Sequence, residues 1–169
     1  MQQTFKQLIF AAMAVLGVCS QAVADFEVML PISGTNGGSY SVAGSFGGTY
    51  DAQFLIDTGA GMSTLSRSTF KAVKKTHKVE SVRKVAARLA NGKLLKAQVY
   101  RIADFRIGNQ CSLGDVEVAV MPNSGRNIIG MDILAKTAPF GLNLAKPALA
   151  VSKCELIETP PRVDLTLSH

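Results

Sequence analysis

The run Ala52-Gln53-Phe54-Leu55-Ile56-Asp57-Thr58-Gly59-Ala60-Gly61-Met62-Ser63-Thr64-Leu65-Ser66 decides how the chain is read. Phe54, Leu55 and Ile56 form a short bulky apolar run suited to a strand buried on both faces. That run delivers a carboxylate, Asp57, into a turn of small residues. An unpaired carboxylate taken out of water is costly unless it is hydrogen-bonded or protonated. The Thr58 hydroxyl and the backbone N–H groups that follow can serve as donors, while Gly59 and Gly61 let the main chain turn tightly beside the acid. By itself the pattern is also what a strand followed by an Asx-type turn would show.

A second stretch, Asn127-Ile128-Ile129-Gly130-Met131-Asp132-Ile133-Leu134, again sets two bulky β-branched residues before a glycine. It continues as a helix start, with Asp132 in the first turn and Ile133 and Leu134 as the apolar side. With both motifs in view the chain resembles the retropepsin-like aspartic proteases, the family of the retroviral proteases and their cellular and bacterial relatives. The resemblance covers roughly Ser39 to Ser152. It implies a mostly β fold: a closed β-barrel with a flap hairpin, one or two short helices, and one lobe per chain.

The same resemblance implies roles for individual residues. Asp57 would be the catalytic acid. Thr58 would bond across a dimer axis, Gly59 would donate to a carboxylate, and Ile128, Ile129 and Gly130 would brace the loop. Ala60, Ile129 and Leu89 would line the substrate pocket. The retroviral enzymes carry an Asp after the Ala of Asp-Thr-Gly-Ala and an Arg after the second motif's Gly, a pair that braces the dimer. Here those positions are Gly61 and Met131. Both partners are absent together, which leaves no charge orphaned but removes the retroviral route to a stable dimer.

The address is written at the start of the chain. Lys6, the apolar run Leu8 to Val18 and then Ala22-Val23-Ala24 fit a secretory signal cleaved after Ala24, and the apolar run is short for a bilayer span. The expectation is export, to a bacterial periplasm. A lipoprotein signal ending at Cys19 competes with this reading and is disfavoured by the bulk of Val18. Removing 24 of 169 residues leaves 145, enough for one domain. That is too short for a two-lobed enzyme with two Asp-Thr/Ser-Gly motifs, and no other Asp in the chain is followed by Thr-Gly or Ser-Gly. One chain therefore supplies one such acid, and a shared pair calls for a homodimer.

With the signal goes one of the 18 basic residues and none of the 12 acidic ones, so the remainder is still cationic. Lys71, Lys74, Lys75, Lys78, Arg83, Lys84 and Arg88 concentrate the charge. A solvated helix face explains such a run, and the functional alternatives are attraction to acidic substrates or to an anionic membrane surface. No stacking or nucleic-acid signature accompanies it, so nucleic acid is not expected as a partner. Cys111 and Cys154 are an even pair suited to one disulfide in an oxidising compartment; two buried free thiols are the other reading. His77 and His169 give neither cysteine a plausible partner, so thiol catalysis and metal are disfavoured and no cofactor is expected.

The remaining segments order themselves around these points. Residues 25–38 read as an N-terminal arm or an edge strand, 39–154 as the protease-like domain and 155–169 as a flexible tail. Ser39 to Phe46 and Thr49 to Ile56 read as strands joined at Gly47-Gly48. Ser63 to Leu65 continue as a strand, and Ser66 can cap a helix to about Lys75. Asn91-Gly92 between strand-like arms signals a hairpin, with Leu89, Ala90, Asn91, Gly92 and Lys93 as the candidate flap tip over an extended polypeptide. Ile102 to Ile107 and Val116 to Val120 read as further strands, then Gly141 to Leu144 paired with Leu149 to Val151. A non-catalytic domain of the same fold, holding an extended peptide or an envelope partner in its groove, is the alternative to the enzyme.

Overall fold

A computed structural model of the chain describes residues 26–88, 92–122 and 125–157. The fold is mostly β. Among the described residues thirteen strands join one hydrogen-bonded network, with a ten-residue helix and a single helical turn packed on it. The network begins with β1 (Val28–Gly34), β2 (Tyr40–Phe46), β3 (Tyr50–Ile56) and β4 (Thr64–Ser66), followed by helix α1 (Arg67–Thr76). It continues with β5 (Val79–Arg88), β6 (Leu94–Ile102), β7 (Phe105–Ile107), β8 (Cys111–Ser112), β9 (Val116–Met121) and β10 (Asn127–Ile129). Helix α2 (Met131–Leu134), a 3-10 turn (Ala135–Thr137), β11 (Phe140–Asn143), β12 (Ala148–Val151) and β13 (Glu155–Leu156) complete it.

The strand path runs β11-β12-β1-β2-β3-β10-β4-β9-β6-β5, with β7, β8 and β13 branching from β2. Its two ends, β11 and β5, do not meet. Among the described residues the expected closed barrel is therefore replaced by an open, mixed sheet, in which strands such as β1 change partners along their length. Residues 28–31 of β1 pair with β12 and residues 32–34 pair with β2, so the segment offered as an arm or edge strand is built into the network.

Local chemistry explains the elements. The β2–β3 hairpin turns where Thr49 N–H reaches the Phe46 carbonyl (3.1 Å), and the two intervening residues sit at φ +57° and +65°, which glycine alone adopts without penalty. Ser66 caps α1, its hydroxyl accepting the Thr69 N–H at 3.1 Å. Phe70 and Val73 on one face of α1 are buried, whereas its lysines Lys71, Lys74 and Lys75 lie in solvent. Ile102 to Ile107 is not one strand, because Asp104 at φ +52° breaks it into the end of β6 and the start of β7. Glu155 and Leu156, assigned to a free tail, pair with Ser112 and Cys111. The Cys111–Cys154 disulfide ties these neighbours together, with a Cα–Cα distance of 5.2 Å. Residues 158–169 and the signal segment lie outside the described residues.

The core is centred on Phe46, Phe54 and Phe105, whose ring centroids lie 5.1 to 6.3 Å apart, with Leu65, Ile129, Ile133 and Leu134 in the same cluster. A second, smaller cluster forms under the β5–β6 hairpin, where Val85, Ala87 and Leu95 pack with Ala97, Val99, Met121 and Met62. Only Gln98 to Ile102 of β6 pair with β9, so the outer half of the hairpin pairs with itself and projects from the sheet. Across its base a row of cross-strand partners, Glu80, Arg101 and Glu117, alternates in charge, and Arg83 also bonds Glu117.

Candidate active site

Two strands carry the site, and their relative direction matters. β3 and β10 pair in parallel, Leu55 opposite Ile128 and Ile56 opposite Ile129, so both run out at the same place and their following loops meet. The Asp57 N–H donates to the Ile129 carbonyl at 3.0 Å, extending the ladder by one bond beyond the strand. There the chain turns. Gly59 N–H donates to Asp57 Oδ1 (2.9 Å) and Ala60 N–H to the Asp57 carbonyl (3.1 Å).

Asp57 is half-buried, and Thr58 and Gly59 are exposed beside it. The expectation of a strand buried on both faces holds on one side only. Phe54 is in the core, but Gln53 is exposed and Leu55 and Asp57 are half-buried. By the two-residue period of a strand, Gln53, Leu55 and Asp57 share a face. Gln53 and Leu55, but not Asp57, line an open groove of about 560 Å³, together with residues such as Ser41 and Asn127.

The Asp57 loop is held from beneath by the second motif. Met131 N–H donates to the Ala60 carbonyl at 2.8 Å. Gly130 N–H donates to the Ser63 hydroxyl at 2.9 Å, and that hydroxyl donates to Asp132 Oδ1 at 2.6 Å. Both Asp132 oxygens also take the Ser63 N–H, at 2.9 and 3.0 Å. Gly130 is required by contact rather than by φ: a Cβ there would sit 2.7 Å from the Ala60 carbonyl oxygen and 2.9 Å from the Met62 carbonyl carbon. Further back, Asn127 accepts the Ser66 N–H (3.0 Å) and donates to the Gln53 carbonyl (3.1 Å), clamping β10 to both neighbours.

The family-model comparison matches residues 42–133 to the aspartyl protease model, a span that contains the Asp57 loop, the projecting hairpin and the Gly130 brace. The chain belongs to this family. Within it, the fold is similar to a crystal structure of a retropepsin-like aspartic protease from Rickettsia conorii, at a TM-score of 0.53 and 17% identity, covering 73% of this chain and 88% of that one. Among curated proteins none matches.

As a family member the chain brings Asp57, Gly59, Ala60, Ile129 and Gly130 together, in one hydrogen-bonded loop pair. Ile129 belongs to the buried core rather than to a pocket wall, contrary to its reading as lining; alternation along β10 leaves Ile128 half-buried instead. Leu89, Ala90 and Asn91 of the candidate flap tip lie outside the described residues, while Gly92, at φ +79°, and Lys93 stand at the projecting end of the hairpin. Ser63 and Asp132 were legible only as a strand residue and a helix-start acid. Their bond joins the segments following Gly61 and Met131, where the retroviral brace is missing, but it does so inside one chain. Among the described residues no group of three or more His, Cys, Asp or Glu side chains is placed to hold a metal ion.

Proposed function

We propose that the protein is an aspartic endopeptidase whose active form is a homodimer, with Asp57 of each copy contributing one half of the catalytic pair. The observation that carries this reading is the placement of Asp57: a half-buried carboxylate at a strand end, oriented by the Gly59 N–H and set against the Gly130 loop by its own N–H bond to the Ile129 carbonyl. Asp132, the acid held closest to the loop in the bond network, is committed to Ser63 and is unsuited to act as the second group.

Two carboxyl groups close together do not both ionise cheaply, so the pair holds one proton. The ionised member takes a proton from a bound water while the protonated member donates to the scissile carbonyl oxygen. Water oxygen bonds to the carbonyl carbon. Collapse then breaks the C–N bond, with a proton passing to the leaving amine. The exposed Thr58 and Gly59 are the surface on which the two copies meet near the acids, and the projecting β5–β6 hairpin covers an extended polypeptide in the groove. Export to the periplasm after cleavage at Ala24 is part of the same proposal, and the disulfide suits an oxidising compartment.

The test is a peptide-library digest at acidic and neutral pH, comparing the wild-type protein with Asp57→Asn, alongside sedimentation of both. Cleavage by the wild type alone, from a dimer, supports the reading. Equal cleavage by the two proteins removes Asp57 from the chemistry, and full activity from a strict monomer removes the shared pair.

A further inference from the structure

We propose that the outward face of the β5–β6 hairpin, together with the exposed side of α1, docks on the surface of a bilayer that contains anionic lipids. The proposal goes beyond the peptidase reading and does not depend on the chemistry at Asp57.

The two faces of this hairpin sort charge differently. Cross-strand partners share a face, so Glu80, Arg101 and Glu117 stand together, and Arg83 joins them by bonding Glu117. There the cations are matched by acids. The same side carries Val85, Ala87, Leu95 and Ala97, packed in one cluster with Met62. The opposite face sets Lys84 beside Gln98, Lys96 beside Ala86 and Arg88 beside Leu94, all exposed except the half-buried Gln98. No acid shares it among the described residues, and Lys84, Lys96 and Arg88 make no ion pair there. At about 3.3 Å of rise per residue, the three cations fall within about 13 Å along the hairpin.

Helix α1 extends the same side. Its Phe70 ring packs on Tyr100 with centroids 4.4 Å apart. Tyr100 alternates with Gln98 and Lys96 along β6, so the helix sits on the face that carries the hairpin's cations. Lys71, Lys74 and Lys75 are exposed on it, and no acid occurs between Arg67 and Thr76. Two neighbouring elements thus present cations without acids on one side of the sheet, and an anionic surface complements them; the formal charge of the chain, +6, acts in the same sense at longer range. A membrane fits better than a soluble acidic chain because of Leu94. At 67% exposure it is the most exposed large apolar side chain among the described residues, and it lies on this same face toward the hairpin's outer end. There it can enter the acyl boundary while the flanking cations stay with the phosphates.

The test is co-sedimentation of the full chain with vesicles of phosphatidylcholine, with and without phosphatidylglycerol; peptide cleavage plays no part in the readout. Binding to phosphatidylcholine alone gives the baseline that needs no charge. Phosphatidylglycerol is expected to raise the affinity above that baseline, and added salt to remove the gain. Lys84→Gln combined with Lys96→Gln is expected to weaken the charge-dependent binding about 25-fold, about 5-fold for each basic residue at the surface. Lys146→Gln combined with Lys153→Gln removes the same net charge from exposed positions elsewhere and is expected to weaken it by about 2-fold or less, because the headgroup field falls off within a Debye length. Lys84→Arg combined with Lys96→Arg keeps the binding, and melting temperatures show that all three double variants are folded. No gain from phosphatidylglycerol, or equal losses in the two glutamine pairs, overturns the proposal. So does capture of polyglutamate through Lys84 and Lys96 by a protein that ignores the vesicles, which would make the partner an acidic polypeptide.

Discussion

The Ser63 hydroxyl donates to the Asp132 carboxylate at 2.6 Å while accepting the Gly130 N–H at 2.9 Å, linking residues 69 positions apart in the chain. Asp132 also takes the Ser63 and Ile133 N–H groups, so removing its carboxylate strands several partly buried donors at once. Asp132→Ala is expected to destabilise the fold by about 2 to 3 kcal/mol, the range for losing an ionised acceptor of partly buried donors. Asp132→Asn, which keeps one acceptor oxygen, should lose less. Urea unfolding followed by circular dichroism checks both; equal midpoints for Ala, Asn and wild type would show that the bond does not brace the loop.

Gly130 allows the second motif to lie against the Asp57 loop. In Gly130→Ala the new methyl meets backbone at 2.7 Å, an atom with no rotamer by which to move away. The expected cost is about 1 to 3 kcal/mol from overpacking. Because the strain falls on Ala60 and Met62, cleavage should drop further than the loss of folded protein explains. Comparing turnover per folded molecule with the shift in melting temperature separates the two effects.

Asp57→Asn keeps an oxygen for the Gly59 N–H and so should leave stability within about 1 kcal/mol of wild type. Its effect is expected in cleavage, a loss of about 100-fold or more if the group works as acid and base. If the pair is shared between copies, adding an equal amount of this variant to wild type should, after exchange, cut the wild-type activity to about half. Activity unchanged by mixing, in a preparation shown to exchange subunits, argues against a shared site.

Glu117 is held below its ordinary value of 4.5 by the side-chain bond from Arg83, with Arg101 adding to it. A carboxyl whose folded pKa is depressed stabilises the fold above its unfolded pKa, and that contribution is lost as pH falls through the folded value. Glu117→Gln should therefore weaken the protein slightly at neutral pH, by less than about 1 kcal/mol for so exposed a cluster, and make no difference well below pH 4. Chemical unfolding at the two pH values tests the sign. The reverse order, with the variant weaker only in acid, would contradict it.

Removing the disulfide by the double change Cys111→Ser, Cys154→Ser should cost about 3 to 4 kcal/mol on the chain-entropy model, given the sequence separation of 43. The ends it joins are β8 and β13, whose pairing is two residues long. Exchange of the Leu156 and Ile157 amides should accelerate before the rest of the sheet responds, which hydrogen exchange by mass spectrometry can follow.

How much of this was legible beforehand differs between residues for physical reasons. Ser66 as a helix cap and Gly47-Gly48 as a turn are local: the residues that make the bond are neighbours in sequence. Ile102 to Ile107 was misread because its apolar pattern continues through Asp104, whose positive φ carries no hydrophobic signature. Glu155 and Leu156 were assigned to a tail because both are exposed and offer nothing to bury, yet they pair through their backbones, which composition does not show.

Residue identities alone specify the chemistry on offer: one Asp-Thr-Gly-Ala, one Ile-Ile-Gly, the cysteines Cys111 and Cys154, and the turn residues that fix short-range geometry. These are legible because each depends on which atoms a residue carries. Only the folded arrangement settles that Leu55 faces a groove while Phe54 faces the core, that Ile129 is core rather than pocket, that Ser63 finds Asp132, and that Asn127 comes level with Phe54. Those facts follow from the parallel pairing of β3 with β10, a contact between segments some seventy residues apart, and no local propensity encodes the register of two strands that meet only when the sheet has formed.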